Sequence, residues 1–398
     1  MSGLRLVLIT RRFWPLVGGA EMGIANLAVA LQAAGHQVTI LTAAWNPDWP
    51  MEIQHRGVPV KRIQQSSRRF FGTWRYMRGV GRWLRQHRGE YDLVYVSMLK
   101  HDAYAAVGLG RKLNFPVVLR AEGGGVTGDA AWQQVARFRG WIRGRCQRAD
   151  AIVAPSPAIQ QELAGAGYEV DRLHFIPNGV AAVPERTPQR RMTAREALGT
   201  AHAVLSLGND TKLAVFTGRL SEEKGLTCLV DAWARVLKDR SNTRLWLVGE
   251  GPLRDKLGEQ IERLHIRGRC VLVGTFDSVE ELLSAADVFV LPSREEGMSV
   301  ALLEAMACGL PIVATDIPGN RALITSGEHG LLVRPDDPPA LACAINSLLD
   351  TPSRAAQYGE AARHRAQRHF ALSTMVERHV ELFGSVICSS KRVASERS

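Results

Sequence analysis

Short apolar runs recur along the chain, and each is followed by a longer stretch whose apolar positions return every three or four residues. The runs "LRLVLI" (4–9), "QVTILTA" (37–43), "DLVYVS" (92–97), "PVVLRA" (116–121) and "AIVAPS" (151–156) read as strands. Such unbroken apolar strands belong to parallel sheets, because helices cover both faces and neither is left to water. "MGIANLAVALQAAG", stopped by Gly35, reads as the first covering helix. The segment "IPNGVAAVPERTPQRR" (176–191) interrupts this rhythm with proline, glycine and charge, and is read as a linker.

Beyond it the rhythm restarts. Strands are predicted at 213–218, 243–249, 270–274, 287–292, 311–315 and 330–335, with helices at 226–238, near 253–264, at 279–286 and between 293 and 311. The carboxyl-terminal stretch reads as a helix ending in a polar, mobile tail, "SSKRVASERS". The pattern predicts an α/β protein: a Rossmann-like domain over 1–180, a second over 181–365, and a helix within 366–398 that packs back on the first. Doubly wound sheets bind ligands outside the carboxyl ends of their strands, so the chemistry is expected in strand-to-helix turns facing a central cleft.

Composition adds limits. A chain of 398 residues, 46% hydrophobic and 22% charged, has room for two domains with sizeable cores. No run approaches the about eighteen apolar residues of a membrane span. "MSGLRLVLITRRFWP" reads as a strand followed by arginines rather than a leader, so the expectation is a chain that starts at Met1 and works in the cytoplasm. Cys146, Cys228, Cys270, Cys308, Cys343 and Cys388 include no C-x-x-C pair, which signals neither a zinc site nor a disulfide framework.

Charge is unevenly placed. Residues 1–180 carry 23 Lys and Arg against 12 Asp and Glu, a net of +11, whereas residues 181–398 carry 27 of each. A field confined to one half favours an anionic partner on that side.

Several turns in the second half hold candidate chemistry. In "FTGRLSEEKGLTCL", Arg219 follows a strand and Lys224 precedes a helix, an arrangement suited to a diphosphate, or else a solvated turn paired with its own Glu222 and Glu223. "VGEGPLRDKL" sets Gly249 and Gly251 in another turn, and Gly274 closes the next strand. The stretch "SREEGMSVALLEAMACGLP" (293–311) is more specific. Gly297 permits close approach, Ser299 caps the helix, and the amides of Met298, Ser299 and Val300 point toward an anion. Glu304, more than a turn deeper, is an acceptor suited to a vicinal diol. Glu296 could hold hydroxyls of a second sugar, or merely complement the helix dipole.

Together "GRLSEEKG", "VGEGP", "PSREEGMSVALLEAMACGLPIVAT" and "HGLLVRPDD" resemble the donor domain of the retaining GT-B glycosyltransferases, especially glycosyltransferase family 4. "GGAE" and "IPNGV" extend the likeness to most of the chain. The resemblance implies a GT-B fold, with Arg219 and Lys224 on the donor diphosphate, Glu296 on donor-sugar hydroxyls and Glu304 on the ribose. It also implies that Gly18 and Gly19 approach the phosphates, with Glu21 at the start of their helix. No metal and no cofactor are implied, since two fixed cations supply the charge stabilisation.

One departure stands out. Many members carry a histidine at the end of the strand that here reads "VVLRAEGGG", and this sequence has Glu122 at or next to that position. Glu122 could orient the acceptor hydroxyl, accept its proton, or simply pair with Arg120. His101 and Asp129 are further acceptor-side candidates.

Residues 66–89 contain seven arginines and no acid; Phe70, Trp74, Met77 and Leu84 fall near one helical stripe, with Arg75, Arg78, Arg82 and Arg85 beside it. Residues 132–148 add Trp132, Trp141 and five arginines. Both segments suit an anionic bilayer, or are ordinary domain helices with solvated arginines, the first weakened by Gly72, Gly79 and Gly81. No nucleic-acid module is recognisable. The expectation is a cytoplasmic retaining hexosyltransferase, at the inner membrane face, moving sugar from a UDP- or GDP-sugar, more than an ADP-sugar, to a lipid-linked or saccharide hydroxyl. The rivals are a nucleotide-sugar epimerase on the same fold and a non-catalytic sensor or scaffold.

Overall fold

Alternation along single strands decides the layers of the first unit, Met1–Gly179 with Leu372–Ser398. The computed structural model describes residues 3–16, 18–65, 69–208 and 210–395, excepting the side chains of 69, 70 and 391–395. Strands β1 (Arg5–Ile9), β2 (Gln37–Ala44), β3 (Glu52–His55), β4 (Val58–Gln64), β5 (Leu93–Ser97), β6 (Val117–Arg120), β7 (Ala151–Ala154) and β8 (Leu173–Phe175) form one sheet. Its order is β3-β4-β2-β1-β5-β6-β7-β8. Leu6, Leu8, Ile40 and Tyr95 join one buried cluster, and Val7, Ile9, Leu41 and Val96 the other. The two-residue period therefore supplies both faces of the sheet.

Helix α1 (Gly19–Ala33) covers the first face. The second is covered by α2 (Arg69–Gln86), α3 (His101–Leu113), α5 (Arg139–Cys146) and α6 (Pro157–Gly165), with the short α4 (Asp129–Val135) packed against α5.

Three expectations change here. The antiparallel edge hairpin β3–β4 was not read from the sequence. Its signal is local: Arg56 and Gly57, at φ 52° and 86°, form a two-residue turn between His55 and Val58. On α2 the inward stripe is Tyr76, Val80 and Leu84, while Phe71 and Trp74 face solvent; the side chain of Phe70 lies outside the described residues. Glycine does not prevent this helix, because packing on α3 and β4 outweighs propensity.

The second unit, Val180–Ala371, runs α7 (Pro188–Ala201), β9 (Lys212–Thr217), α8 (Leu226–Asp239), β10 (Thr243–Val248), α9 (Arg254–Arg263) and β11 (Cys270–Gly274). It continues through α10 (Glu280–Ala285), β12 (Val288–Leu291), α11 (Val300–Ala307), β13 (Ile312–Thr315), α12 (Pro318–Arg321) and β14 (Leu331–Val333) to α13 (Pro338–Asp350) and α14 (Pro352–His369). Its sheet, β11-β10-β9-β12-β13-β14, is parallel throughout. Chain order reverses between β9 and β12, and in the first unit between β1 and β5.

The chain then returns to the first unit as α15 (Leu372–Ser395), whose Met375, Val376, Leu382, Phe383 and Ile387 join the cluster of α1. Burying Phe383 alone contributes about 1.5–3 kcal/mol. The polar segment read as a mobile tail is helical through Ser395, since it contains no helix breaker and extends a turn already anchored by packing. The linker reading also contracts: Thr187 caps α7, accepting from the amide of Arg190 at 3.2 Å, and Asn178 is buried in the first unit.

Candidate functional site

In the second unit two turns meet at the reversal of strand order. One follows β9 and runs from Gly218 to Gly225; the other follows β12 and runs from Pro292 to Ser299. Gly225, at φ 63°, begins α8, and an added Cβ there would lie 2.1 Å from the carbonyl oxygen of Pro292. Only glycine allows this approach. The Arg294 amide donates to the Glu223 carbonyl at 2.8 Å, and the Arg294 guanidinium donates to the Glu222 carbonyl at 3.2 Å.

Across the seam, Lys224 Nζ donates to Glu296 Oε1 at 2.6 Å, and Ser293 Oγ donates to the same oxygen at 2.7 Å. The lysine side chain is 20% exposed and the glutamate 9%. Thus the two residues predicted to hold different parts of a ligand form an ion pair with each other. Arg219 is exposed, and its guanidinium has no hydrogen-bond or ion-pair partner among the described residues. Beneath, Thr315 Oγ1 donates to the Ser293 carbonyl, and Asn320 Nδ2 donates to the Thr315 carbonyl at 2.9 Å.

On α11, Ser299 accepts from the Leu302 amide at 3.3 Å, with Met298, Ser299 and Val300 buried and Gly297 half-buried. Glu304 has no side-chain hydrogen bond among the described residues, and burial alone pushes its carboxyl up to about 7. An unpaired carboxyl in such surroundings is costly and suits a ligand hydroxyl. Gly249 and Gly274 serve geometry: their backbones bridge at 2.7 Å, and a Cβ on Gly249 would meet the Gly218 carbonyl at 1.9 Å.

The first unit gathers a second cluster at the ends of β5 and β6. Arg120 Nε lies 3.2 Å from Glu122 Oε1, with side chains 4% and 9% exposed. Ser97 Oγ donates to that oxygen at 2.9 Å, so the described hydrogen bonds leave Oε2 open. Burial pushes the Glu122 carboxyl up to about 7, outweighing Arg120 and Ser97. For Arg120 burial opposes the charge, but Tyr95 and Glu122 more than restore it and its pKa is raised.

Asp129 does not offer a carboxylate to a ligand here. It is buried, with Oδ1 accepting from the Leu99 amide at 3.1 Å and Oδ2 from the Glu122 amide at 2.8 Å, so it clamps two turns. His101 opens α3 edge-on to Trp132, ring centroids 5.2 Å apart, and burial, Arg11 and Lys100 lower its pKa. Gly18 caps α1 in extended conformation and Glu21 lies in its first turn. Val17, between Leu16 and Gly18 in that turn, lies outside the described residues. Among the described residues no group of three His, Cys, Asp or Glu side chains is arranged to hold a metal ion.

Two family models match: "Glycosyltransferase Family 4" over residues 17–182 and "Glycosyl transferases group 1" over 211–351. The chain belongs to this family. Family 4 glycosyltransferases build glycosidic bonds, and the two turns at the β9–β12 reversal lie inside the second matched segment. The chain is 26% identical to a glycogen synthase of Mycobacterium tuberculosis, over 96% of this chain and 94% of that protein. It is 27% identical to the lipopolysaccharide core biosynthesis glycosyltransferase LpsE of Rhizobium meliloti, over 59% of this chain and 64% of that one. The GT-B fold is shared with HepE of Anabaena in complex with UDP and glucose, at a TM-score of 0.79 and 22% identity, over 96% of this chain and all of the other.

Lys224 and Glu296 had roles from the sequence, but Ser293 and Thr315, inside the same motif as Glu296, and Asn320 beyond it had none. Ser293 is three residues from Glu296, and Thr315 and Asn320 hold its turn from β13 and α12. In the first unit Ser97, Tyr95, Asn178 and His379 were missed. Only Asn178 had a signal, its place within "IPNGV".

Proposed function

We propose that this family 4 glycosyltransferase moves a hexosyl group from a UDP- or GDP-sugar to a hydroxyl of a saccharide or lipid-linked acceptor, retaining configuration and needing no metal. The setting is assembly of surface polysaccharide or glycolipid at the cytoplasmic face of a membrane. One observation carries the reading: the Lys224–Glu296 pair lies beside an uncommitted Arg219 at the reversal of strand order. The UDP held by HepE and the lipopolysaccharide role in the name of LpsE support the donor and the setting.

In this reading a diphosphate draws Lys224 from Glu296 and takes Arg219 as its second cation. Glu296, released, accepts from hydroxyls of the sugar, and Glu304 accepts from the ribose. The bond from the sugar's anomeric carbon to the β-phosphate oxygen breaks with its electron pair going to the diphosphate, whose charge the two cations stabilise. The acceptor oxygen bonds the same face of that carbon, and its proton passes to the β-phosphate. Glu122 Oε2 accepts a hydrogen bond from the acceptor hydroxyl and aims it. Transfer therefore requires ionised Glu122 and declines as pH falls below about 7.

The membrane setting draws on α2, α3, α5 and α4, which touch in that order. Their two acids, Asp102 and Asp129, are buried, while Arg75, Arg78, Arg82, Arg85, Arg139 and Arg143 are exposed. Phe71, Trp74, Phe138 and Trp141 are 66%, 56%, 60% and 71% exposed. Guanidinium groups beside exposed aromatic rings fit the headgroup layer of an anionic bilayer.

The test is a thermal-shift panel of UDP, GDP, ADP and their sugars, followed by transfer assays with the stabilising donor. Selective stabilisation by UDP or GDP is expected. Tight nucleotide binding with no turnover would favour a sensor, and conversion of the donor without acceptor would favour an epimerase.

A further inference from the structure

We infer that Tyr95 and His379 are positioning residues for Glu122, so that the carboxyl-terminal helix α15 belongs to the acceptor-side machinery; the inference rests on the reading of Glu122 given above. His379 is fully buried on α15, and its Nδ1 lies 2.8 Å from the carbonyl oxygen of Met375. A carbonyl only accepts, so Nδ1 carries the ring proton. The second ring nitrogen then has none, because burial and the Arg120 charge keep the ring neutral, with a pKa of about 3.

The rest of the chain of hydrogen bonds has one possible direction. Tyr95 OH, 3.1 Å from His379 Nε2, must donate to it. Its lone pairs are thereby turned to Arg120 Nη1 at 3.5 Å, the longest link. Arg120 Nη2 donates to Asn178 Oδ1 at 2.5 Å, and Nε faces Glu122 Oε1. The guanidinium is fixed at all three nitrogens, and the carboxylate it faces is fixed with it. An apolar side chain at 379 would pack as well against Tyr95 and Phe383, whose ring centroids lie 5.6 Å and 5.7 Å from the imidazole. It would leave the tyrosine hydroxyl without its acceptor, and the order of donors would be lost.

The groups facing Glu122 are Arg120 from β6, Ser97 and Tyr95 from β5, and Asp129 from α4. Arg120 lowers the Glu122 pKa and Asp129 raises it. Loosening Arg120 therefore raises it further.

The test uses the full-length enzyme with its donor and acceptor. Tyr95→Phe is expected to lower kcat about ten- to a hundredfold, leave nucleotide affinity unchanged, and move the acid limb of the pH profile upward. His379→Leu should do the same, and His379→Gln, which keeps an acceptor, should recover most of the loss. In a Glu122→Gln background Tyr95→Phe should lower kcat no further. Variants of Tyr95 and His379 that lose only thermal stability, or that add their full effect to Glu122→Gln, would overturn the inference alone. A Glu122→Gln enzyme as active as the parent would overturn the reading of Glu122 and this inference with it. Should Tyr95→Phe fail to fold, the leucine and glutamine variants of His379 decide the matter.

Discussion

Among the described residues, each unit carries a carboxylate–cation pair largely shielded from solvent at the carboxyl end of its sheet, and the two pairs are built differently. Arg120 and Glu122 are two residues apart on one strand end, 4% and 9% exposed, with Asn178 and Tyr95 taking the other guanidinium nitrogens. Lys224 and Glu296 are 72 residues apart on facing turns, and the lysine is 20% exposed. A planar guanidinium held by several partners is fixed in place, whereas an ammonium on a flexible stem can leave for a stronger anion. One pair thus suits a lasting orientation and the other suits exchange with a diphosphate.

The difference breaks most visibly by removing each cation. Arg120→Met should cost about 3–5 kcal/mol of stability in chemical denaturation, because Glu122 and Asn178 remain buried without it. Lys224→Met should barely move the melting temperature yet lower kcat about 10²–10³-fold, read in steady-state transfer assays. Equal losses of stability in both variants would erase the distinction.

Glu304 sharpens the contrast in the second unit, since it is half-buried and no cation pairs with its carboxyl among the described residues. Its carboxyl lies at about 7 in the fold, against about 4.3 when unfolded. Folding therefore favours the protonated form, and this group's stabilising contribution is present at low pH and lost as pH rises toward and through about 7. Denaturation from pH 4 to 8 should show a steeper decline in the parent than in Glu304→Gln. The variant should also bind the nucleotide about tenfold more weakly, the loss expected of one hydrogen bond to a charged group.

The smallest effect on stability belongs to the surface of the first unit. Trp74→Ser with Trp141→Ser should change stability by about 0.5 kcal/mol or less, while abolishing flotation with vesicles of anionic lipid. Salt should weaken flotation of the parent, and zwitterionic vesicles should not support it. Unchanged flotation in the double variant would separate the charge of this half from the membrane.

Legibility followed the range of the interactions. The parallel strands were readable because their burial on both faces is written in consecutive apolar residues, and the Arg219–Lys224 and Glu296–Glu304 segments because turn and helix signals are local. The apolar stripe of α2 was read as Phe70, Trp74, Met77 and Leu84; Leu84 is buried, but Trp74 faces solvent and Tyr76 and Val80 take the inward positions beside Leu84. With aromatic residues around the whole helix, only its rotation against α3 chooses the face. The polar end of α15 was taken for a tail because composition does not report a helix anchored from its other end.

The sequence alone determined the alternating sheets, the glycines that permit the turn contacts, and the identities of the charged residues beside them. Tertiary structure decided which charges neutralise one another. Lys224 finds Glu296 and Arg120 finds Asn178 and Tyr95 across long stretches of chain, and α15 brings His379 to a strand 284 residues earlier. The physical reason is that propensity and periodicity act within a turn or two of backbone, whereas electrostatic pairing and desolvation depend on distances that exist only after the sheets have assembled.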